Sequence, residues 1–417
     1  MANTLNLGNG DWATKENSLL GYNSENGNYK PLPFDFTRAS NGTFVNKSGL
    51  IETAASGVPR IDFLGNTSGA LKLEPQSTNL ITYSEDFSNA AWLKGGATIV
   101  GGFTSPSINN NAYKLVENSS NSTHYIGMVN QALNVSYSVF AKKGEKKWIL
   151  LTSHWSSGSD FRGQFFDLEN GIVGSGGDAN GKIEDYGNGW YRCSIEANSS
   201  PSSLFTVMLA ESDGVELYQG NGTDGVYIWG AQNTDTKLSS YIPTNGSTVQ
   251  RAAETCNESG NSEVFNSQEG LLYVRMNAFD NNSRISLSDG STSNRVSFKI
   301  TDDNIDFQYR VGGNYSYRVN VDVNNYLTNK ILISYNNGLF VGYLNGFAIS
   351  DKISGTSLGD GVINRLNLND GDVSDGFKGR VKEIAYYDEI LTDEELEYMT
   401  SYRSLNEMVT ELNLNAL

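Results

Sequence analysis

From Glu269 onward, one short segment after another alternates apolar and polar residues: LLYVRMNAF, RISLSDG, NRVSFKITDDN, IDFQYRVGG, SYRVNVDV, NKILISYNNG, LFVGYLNGFAI and GRVKEIAYYDE. A period of two belongs to a strand with one buried face, whereas a helix spreads the same pattern around its axis. The Asn-Gly centre of YNNGLFVGYLNG suits a tight primed hairpin turn. Strand-length pieces also run through 79–254: NAYKLVE, VSYSVFAKK, KWILLTSHW, GQFFDLENG, WYRCSIEA and LFTVMLAE, punctuated by ENG, GNG and SDG. No stretch there supplies a 12-residue amphipathic helix.

These patterns predict an all-β chain. It has two antiparallel jelly-roll or β-sandwich domains after an irregular N-terminal segment, with short C-terminal helices. The expected boundaries are 1–78 for an attachment or oligomerisation segment, 79–254 for the first sandwich and 255–267 for a polar linker. The second sandwich is expected at 268–400 and a helical tail at 401–417. In DGVYIWGAQ, Val226, Ile228 and Gly230 share one face and Tyr227 and Trp229 the other, as in a central strand packed on both sides. Thr392 to Glu395 read as a capping box, with Leu391 and Leu396 placed for a hydrophobic staple. Leu396, Tyr398 and Met399 are then expected to cover part of the sandwich.

Composition narrows the function. The formal charge of -17 repels nucleic-acid backbones, and KKGEKK is short enough to be a charged turn. No run approaches a membrane span, and the N-terminus lacks the pattern of a signal peptide, so neither membrane insertion nor secretion by that route is expected. Cys193 reads as a buried core thiol and Cys256 as part of the linker; a disulfide between them is open but not indicated.

The segment FTRASNGTFVNKSGLIETAASGVPRIDF, followed by TNLITYSEDFSNAAW, resembles a module of bacteriophage head and tail fibres and spikes. YQGNGTDGVYIWGAQ and SSYIPTNGSTVQRAA resemble the closing strand of the associated β domain. In the second half, LFVGYLNG and FKGRVKEIAYYDEILTDEELEYM resemble a concanavalin-A-like, laminin-G-like sandwich and its small helix. The resemblance implies a non-enzymatic virion protein, either a capsid decoration or a fibre or spike. It also implies a homotrimer, contacts with other virion proteins and attachment to host-surface carbohydrate. The alternative is a phage-borne glycoside hydrolase or polysaccharide depolymerase.

Few residues offer chemistry. Glu211, Asp213 and Glu216 resemble the acidic triplet of β-glucanases, but Glu216 is out of phase and Ser-Asp-Gly reads as a turn. No catalytic residue is therefore assigned. The two histidines have no glycine-framed serine as partner. For glycan binding, the candidates are Trp155 with its neighbour His154, and Tyr315 with Tyr317, which alternation places on one face. No cofactor is required. In NLNDGDVSDG, Asn369, Asp370, Asp372 and Asp375 are candidate calcium ligands because they supply hard oxygens in one loop; a plain acidic turn is the other reading.

Overall fold

The computed structural model describes residues 4–107, 109–129, 134–154, 162–177, 179–198, 204–234, 237–278, 282–301, 304–323, 328–372, 374 and 376–412. The chain is nearly all β, in antiparallel sheets, with two short helices near its C-terminal end. It divides into two compact units: 1–39, 55–75 and 253–417 form one, and 40–54 with 76–252 form the other.

The unit containing 76–252 is a sandwich of two six-stranded sheets. Ile149, Leu151, Phe205 and Val207 from one sheet pack against Val139, Cys193, Val226 and Ile228 from the other. Gly225–Thr234 is a central strand, paired with Ala112–Glu117 on one side and Asn134–Lys143 on the other. Its alternation slips once. The register shifts opposite Ser138 and Phe140, where Gly230 takes a φ of 61°. A glycine tolerates that left-handed conformation, so one extra residue bulges and Ala231, not Gly230, continues the core face. Trp229 turns instead to an outer aromatic cluster with Phe140 and Tyr241.

The other unit faces a five-stranded sheet against a large one. Ile285, Leu287, Val296, Phe298, Ile305 and Phe307 of the small sheet meet Leu272, Val274, Ile331, Ile333 and Ile384 of the large sheet. The expected separate segment at 1–78 does not form a body of its own. Leu5–Gly8 inserts between Ser18–Asn23 and Gly379–Tyr387, so the beginning of the chain completes the C-terminal sheet. The expected linker at 255–267 is likewise corrected. Thr255–Asn257 pairs with Lys30–Thr37, and Cys256 is fully buried, because Phe36 and Cys256 occupy matched positions on adjacent strands. Both cysteines are free thiols, and burial raises each above the usual thiol range.

Much of the recognisable N-terminal sequence has a structural task. Arg38 Nη1 donates to Glu254 Oε1 at 2.8 Å, Arg60 Nε donates to the same oxygen at 2.9 Å, and Arg60 Nη2 donates to Glu74 at 2.8 Å. The Glu74 amide donates to Glu254 Oε2 at 3.0 Å. These four charges are buried and balanced, two against two. Nearby in sequence, Asp62 binds Lys72 at 2.8 Å and Arg380 at 3.2 Å. Burial works to raise the Asp62 pKa, but the two cations outweigh it and hold it at about 2.

The helices are α1, Asp393–Thr400, and α2, Leu405–Glu411. Thr392 and Glu395 form the expected reciprocal capping box. Leu396 packs on the outer face of the large sheet with Leu391 and Met399, but Tyr398 is exposed, because it lies on the opposite side of the short helix from that seam. Ion pairs from Lys330 to Glu407 and from Arg275 and Lys382 to Glu411 seat α2. No helix among the described residues is long and apolar enough to cross a membrane.

Candidate functional site

The five-stranded sheet buries its apolar side chains on one face, so strict alternation sends the intervening residues to the other. Register then aligns them into rows. Arg365, Ser288, Arg295, Arg310 and Tyr315 form one row; Asn367, Ser286, Ser297, Gln308 and Arg318 form the next; Arg284, Lys299, Asp306 and Asn320 form a third. Five arginines, Arg284, Arg295, Arg310, Arg318 and Arg365, thus lie on one sheet face of an otherwise acidic chain.

Gln308 organises the centre. Its Oε1 accepts from Arg284 Nη1 at 3.0 Å and Arg295 Nη2 at 3.2 Å, and its Nε2 donates to Asp306 at 2.7 Å. Asp306 in turn binds Arg318 at 2.9 Å and holds that guanidinium above the usual arginine range. Asp370 comes from the loop after Arg365–Asn367. Its carboxylate lies 2.8 Å from Arg284 Nε and 2.6 Å from Arg295 Nη1. Burial pulls the Arg295 guanidinium down; Asp370 opposes this, and Arg284 and Arg310 add to it. Arg295 and Ser297 are almost inaccessible, yet Arg295 Nε and Ser297 Oγ have no hydrogen-bond partner.

Tyr315 stands at the edge of this face and is 45% exposed. Arg310 and Arg318 lie 4.9 and 4.8 Å from its ring centre. Tyr317 does not join it. A register shift between Tyr309 and Arg310 leaves an extra residue at Ser316, so the alternation inverts. Tyr317 therefore points into the core against Phe340 and is 2% exposed. The pairing of the two tyrosines on one face is corrected by that bulge.

Three of the calcium candidates in 367–376 have partners within the chain. Asp370 is engaged by two guanidiniums, and the Asn369 side chain accepts from the Gly371 amide at 2.8 Å. The Asp372 carboxylate is turned to Ser374, whose hydroxyl lies 2.6 Å away and lowers its pKa. Two nearby arginines repel a divalent cation. Asp375 and Trp155 lie outside the described residues, as does the side chain of His154, which ends the strand Trp148–His154. Among the described residues no group of three or more His, Cys, Asp or Glu side chains could hold a metal ion.

The acidic triplet is dispersed. Glu211 binds Lys146, Asp213 accepts from Ser175 at 2.8 Å, and residues 212–215 close a turn. His124 is fully buried with its ring nitrogens facing the carbonyl oxygens of Gly96 and Tyr218.

The arginine face was visible in the alternation itself. RISLS, RVSFK and DFQYR carry Arg, Ser, Asp, Gln and Lys at the positions between the core residues, but the apolar half of the pattern drew the assignment. Chemically, the face offers a dense set of hydrogen-bond donors. Asp306 and Asp370 are engaged by arginines, which suits recognition of oxygen-rich ligands.

No family pattern and no curated sequence match this chain. Among solved structures, the carbohydrate-binding module CBM40 of the Ruminococcus gnavus IT-sialidase, bound to α2,3 sialyllactose, is 18% identical. The match covers 34% of this chain and 93% of that one, at a TM-score of 0.29. Domain 4 of AbnA, a GH43 extracellular arabinanase from Geobacillus stearothermophilus, in complex with arabinotriose, is 15% identical. It covers 36% of this chain and 73% of that one, at a TM-score of 0.28. Likenesses at these TM-scores say nothing of what this chain binds.

Proposed function

We propose that the chain is a non-enzymatic structural protein of a bacteriophage particle, a capsid decoration, head fibre or tail fibre or spike, that attaches to host-surface carbohydrate. The observation that carries the attachment is the polar face of the five-stranded sheet, where Arg310, Arg318 and the exposed Tyr315 lie on the surface beside the buried Arg284, Arg295 and Gln308. Sugars present many acceptor oxygens around an apolar ring face, and such a surface complements both parts. The particle role rests on the resemblance carried by FTRASNGTFVNKSGLIETAASGVPRIDF and TNLITYSEDFSNAAW, in which Arg38 and Arg60 are held by buried Glu254. A homotrimer on a repeating particle would multiply weak contacts at each site.

Two measurements test this reading. Antibody against the chain should decorate intact particles, and the purified protein should be retained on host polysaccharide. Tyr315→Ala should weaken retention by about tenfold, the loss of one aromatic contact together with the two cation–π contacts it makes. Release of reducing ends from the retained polysaccharide would replace this reading with a depolymerase.

A further inference from the structure

The arginine face already holds a carboxylate, and that carboxylate comes from a loop. Asp370 Oδ1 sits between Arg284 and Arg295, while the backbone carbonyl of Asp370 accepts from Arg295 Nη1 at 3.0 Å. The loop has a built seat. Ser286 Oγ donates to the Asn369 carbonyl at 2.8 Å, and the Asp370 amide donates to the Ser374 carbonyl at 3.2 Å. Gly371, at a φ of 96°, lies so close to the sheet that a Cβ there would come 2.5 Å from the Ser291 carbonyl oxygen. The Asp370 side chain nevertheless keeps 11% of its surface in solvent.

Asp370 does not use up the donors around it. Arg295 Nε and Ser297 Oγ are unpartnered, and so is Nε of Arg310. Among the described residues, two acids at the rim are turned elsewhere: Asp372 to Ser374, and Asp289 to Ser291 and Asn294. Most buried donors in folded chains have acceptors, so three unpartnered donors on one face call for a reason. Vacant donors beside a seated carboxylate describe a ligand site in which one ligand group has a stand-in.

We propose that this face takes a carboxylate-bearing sugar, a uronic acid unit, whose carboxylate replaces that of Asp370 between Arg284 and Arg295. Ser297 and the free Nε groups then donate to the other ligand oxygens. Asp370 keeps the arginines paired while no ligand is bound, and it competes as a tethered group of high effective concentration. The inference rests on the carbohydrate reading above and gives it a ligand class.

The test is calorimetric titration of the full chain with oligogalacturonate and oligomannuronate and with their neutral methyl esters. Wild-type protein should prefer the acids over the esters by about tenfold or more, because two guanidiniums recognise the charge. Asp370→Asn should bind the acids about tenfold more tightly than wild type, with no gain for the esters, because the internal competitor is neutral. Arg295→Met should abolish the preference. Ser297→Ala removes a hydroxyl with no partner, so it keeps the fold, and it should weaken acid binding about fivefold. If Asp370→Asn does not fold, the wild-type preference and Ser297→Ala decide the matter. Equal binding of acids and esters, or no effect of Ser297→Ala, overturns the inference. Ester or neutral-sugar binding that depends on Tyr315 would still leave the carbohydrate reading standing, whereas no binding of any of these saccharides overturns both.

Discussion

Glu254 and Asp370 each pair with two arginines, yet the networks around them are built differently. Around Glu254, two arginines meet two glutamates, and the Glu74 amide adds a donor to the second carboxylate oxygen. The charges balance and the side chains are sealed from solvent. Around Asp370, two guanidiniums share one carboxylate oxygen, further arginines stand within the same face, and buried donors remain vacant. Burying a charge is tolerable only when pairing and hydrogen bonding replace its hydration. The first network meets that condition within the chain; the second meets it only in part, which is why the first reads as structure and the second as a site.

The sharpest way to break this comparison is to remove the shared carboxylate of the closed network. Glu254→Ala leaves Arg38 and Arg60 buried with Glu74 alone, and should cost about 3–5 kcal/mol in urea unfolding. Arg295→Met, on the open face, removes one of several like charges and still leaves Asp370 its pair with Arg284. It should cost about 1 kcal/mol or less. Equal losses for the two variants would show that the arginine face is as structurally committed as the Glu254 network.

A second contrast lies in pH. Asp62 has a folded pKa of about 2 against an ordinary 3.8. Its folded value is the lower one, so its contribution, on the order of 2 kcal/mol, is complete above the ordinary carboxylate range. It shrinks as the pH falls from about 4 towards 2 and is gone below that. Asp62→Asn should therefore lower stability at neutral pH and flatten the acid limb of the stability curve, read as urea midpoints between pH 5 and 2. An acid limb of unchanged slope would remove Asp62 from the set of closed pairs.

Which parts of this were legible in the sequence follows from the range of each interaction. Alternation is local, so the strands of both sandwiches and the capping box at Thr392 could be read directly. Pairing between distant segments is not local. Nothing in LNLG announces that Leu5–Gly8 will lie against Gly379–Tyr387, and TCN looked like linker because its partner strand is near residue 36. The bulge at Ser316 overturned a correct period-two argument for Tyr317, since no glycine or proline marks it. Asp370 stands out for its carboxylate and the arginines for their outward phase, but that they meet is fixed by sheet register, which is not local. The segment FTRASNGTFVNKSGLIETAASGVPRIDF stood out before its reason was visible: Arg38 and Arg60 belong to it, and they are held by Glu254 and Glu74.

The smallest expected effect sharpens the comparison at single hydroxyls. Ser138 and Ser297 are both fully buried serines on sheet faces with an arginine nearby in register. Ser138 Oγ accepts from Arg192 Nε at 3.2 Å and Nη2 at 3.0 Å, so its removal strands two buried donors. Ser297 Oγ has no partner, so its removal strands nothing and relieves a desolvated group. Ser138→Ala should cost about 1–3 kcal/mol, whereas Ser297→Ala should leave the urea midpoint of the free protein almost unmoved. The outcome expected of a binding site is a serine silent in the free protein that becomes measurable only when ligand is present. A Ser297→Ala loss as large as that of Ser138→Ala would mean that its hydroxyl is already satisfied in the folded chain. The arginine face would then be a second closed network, and its vacant donors would no longer argue for a ligand.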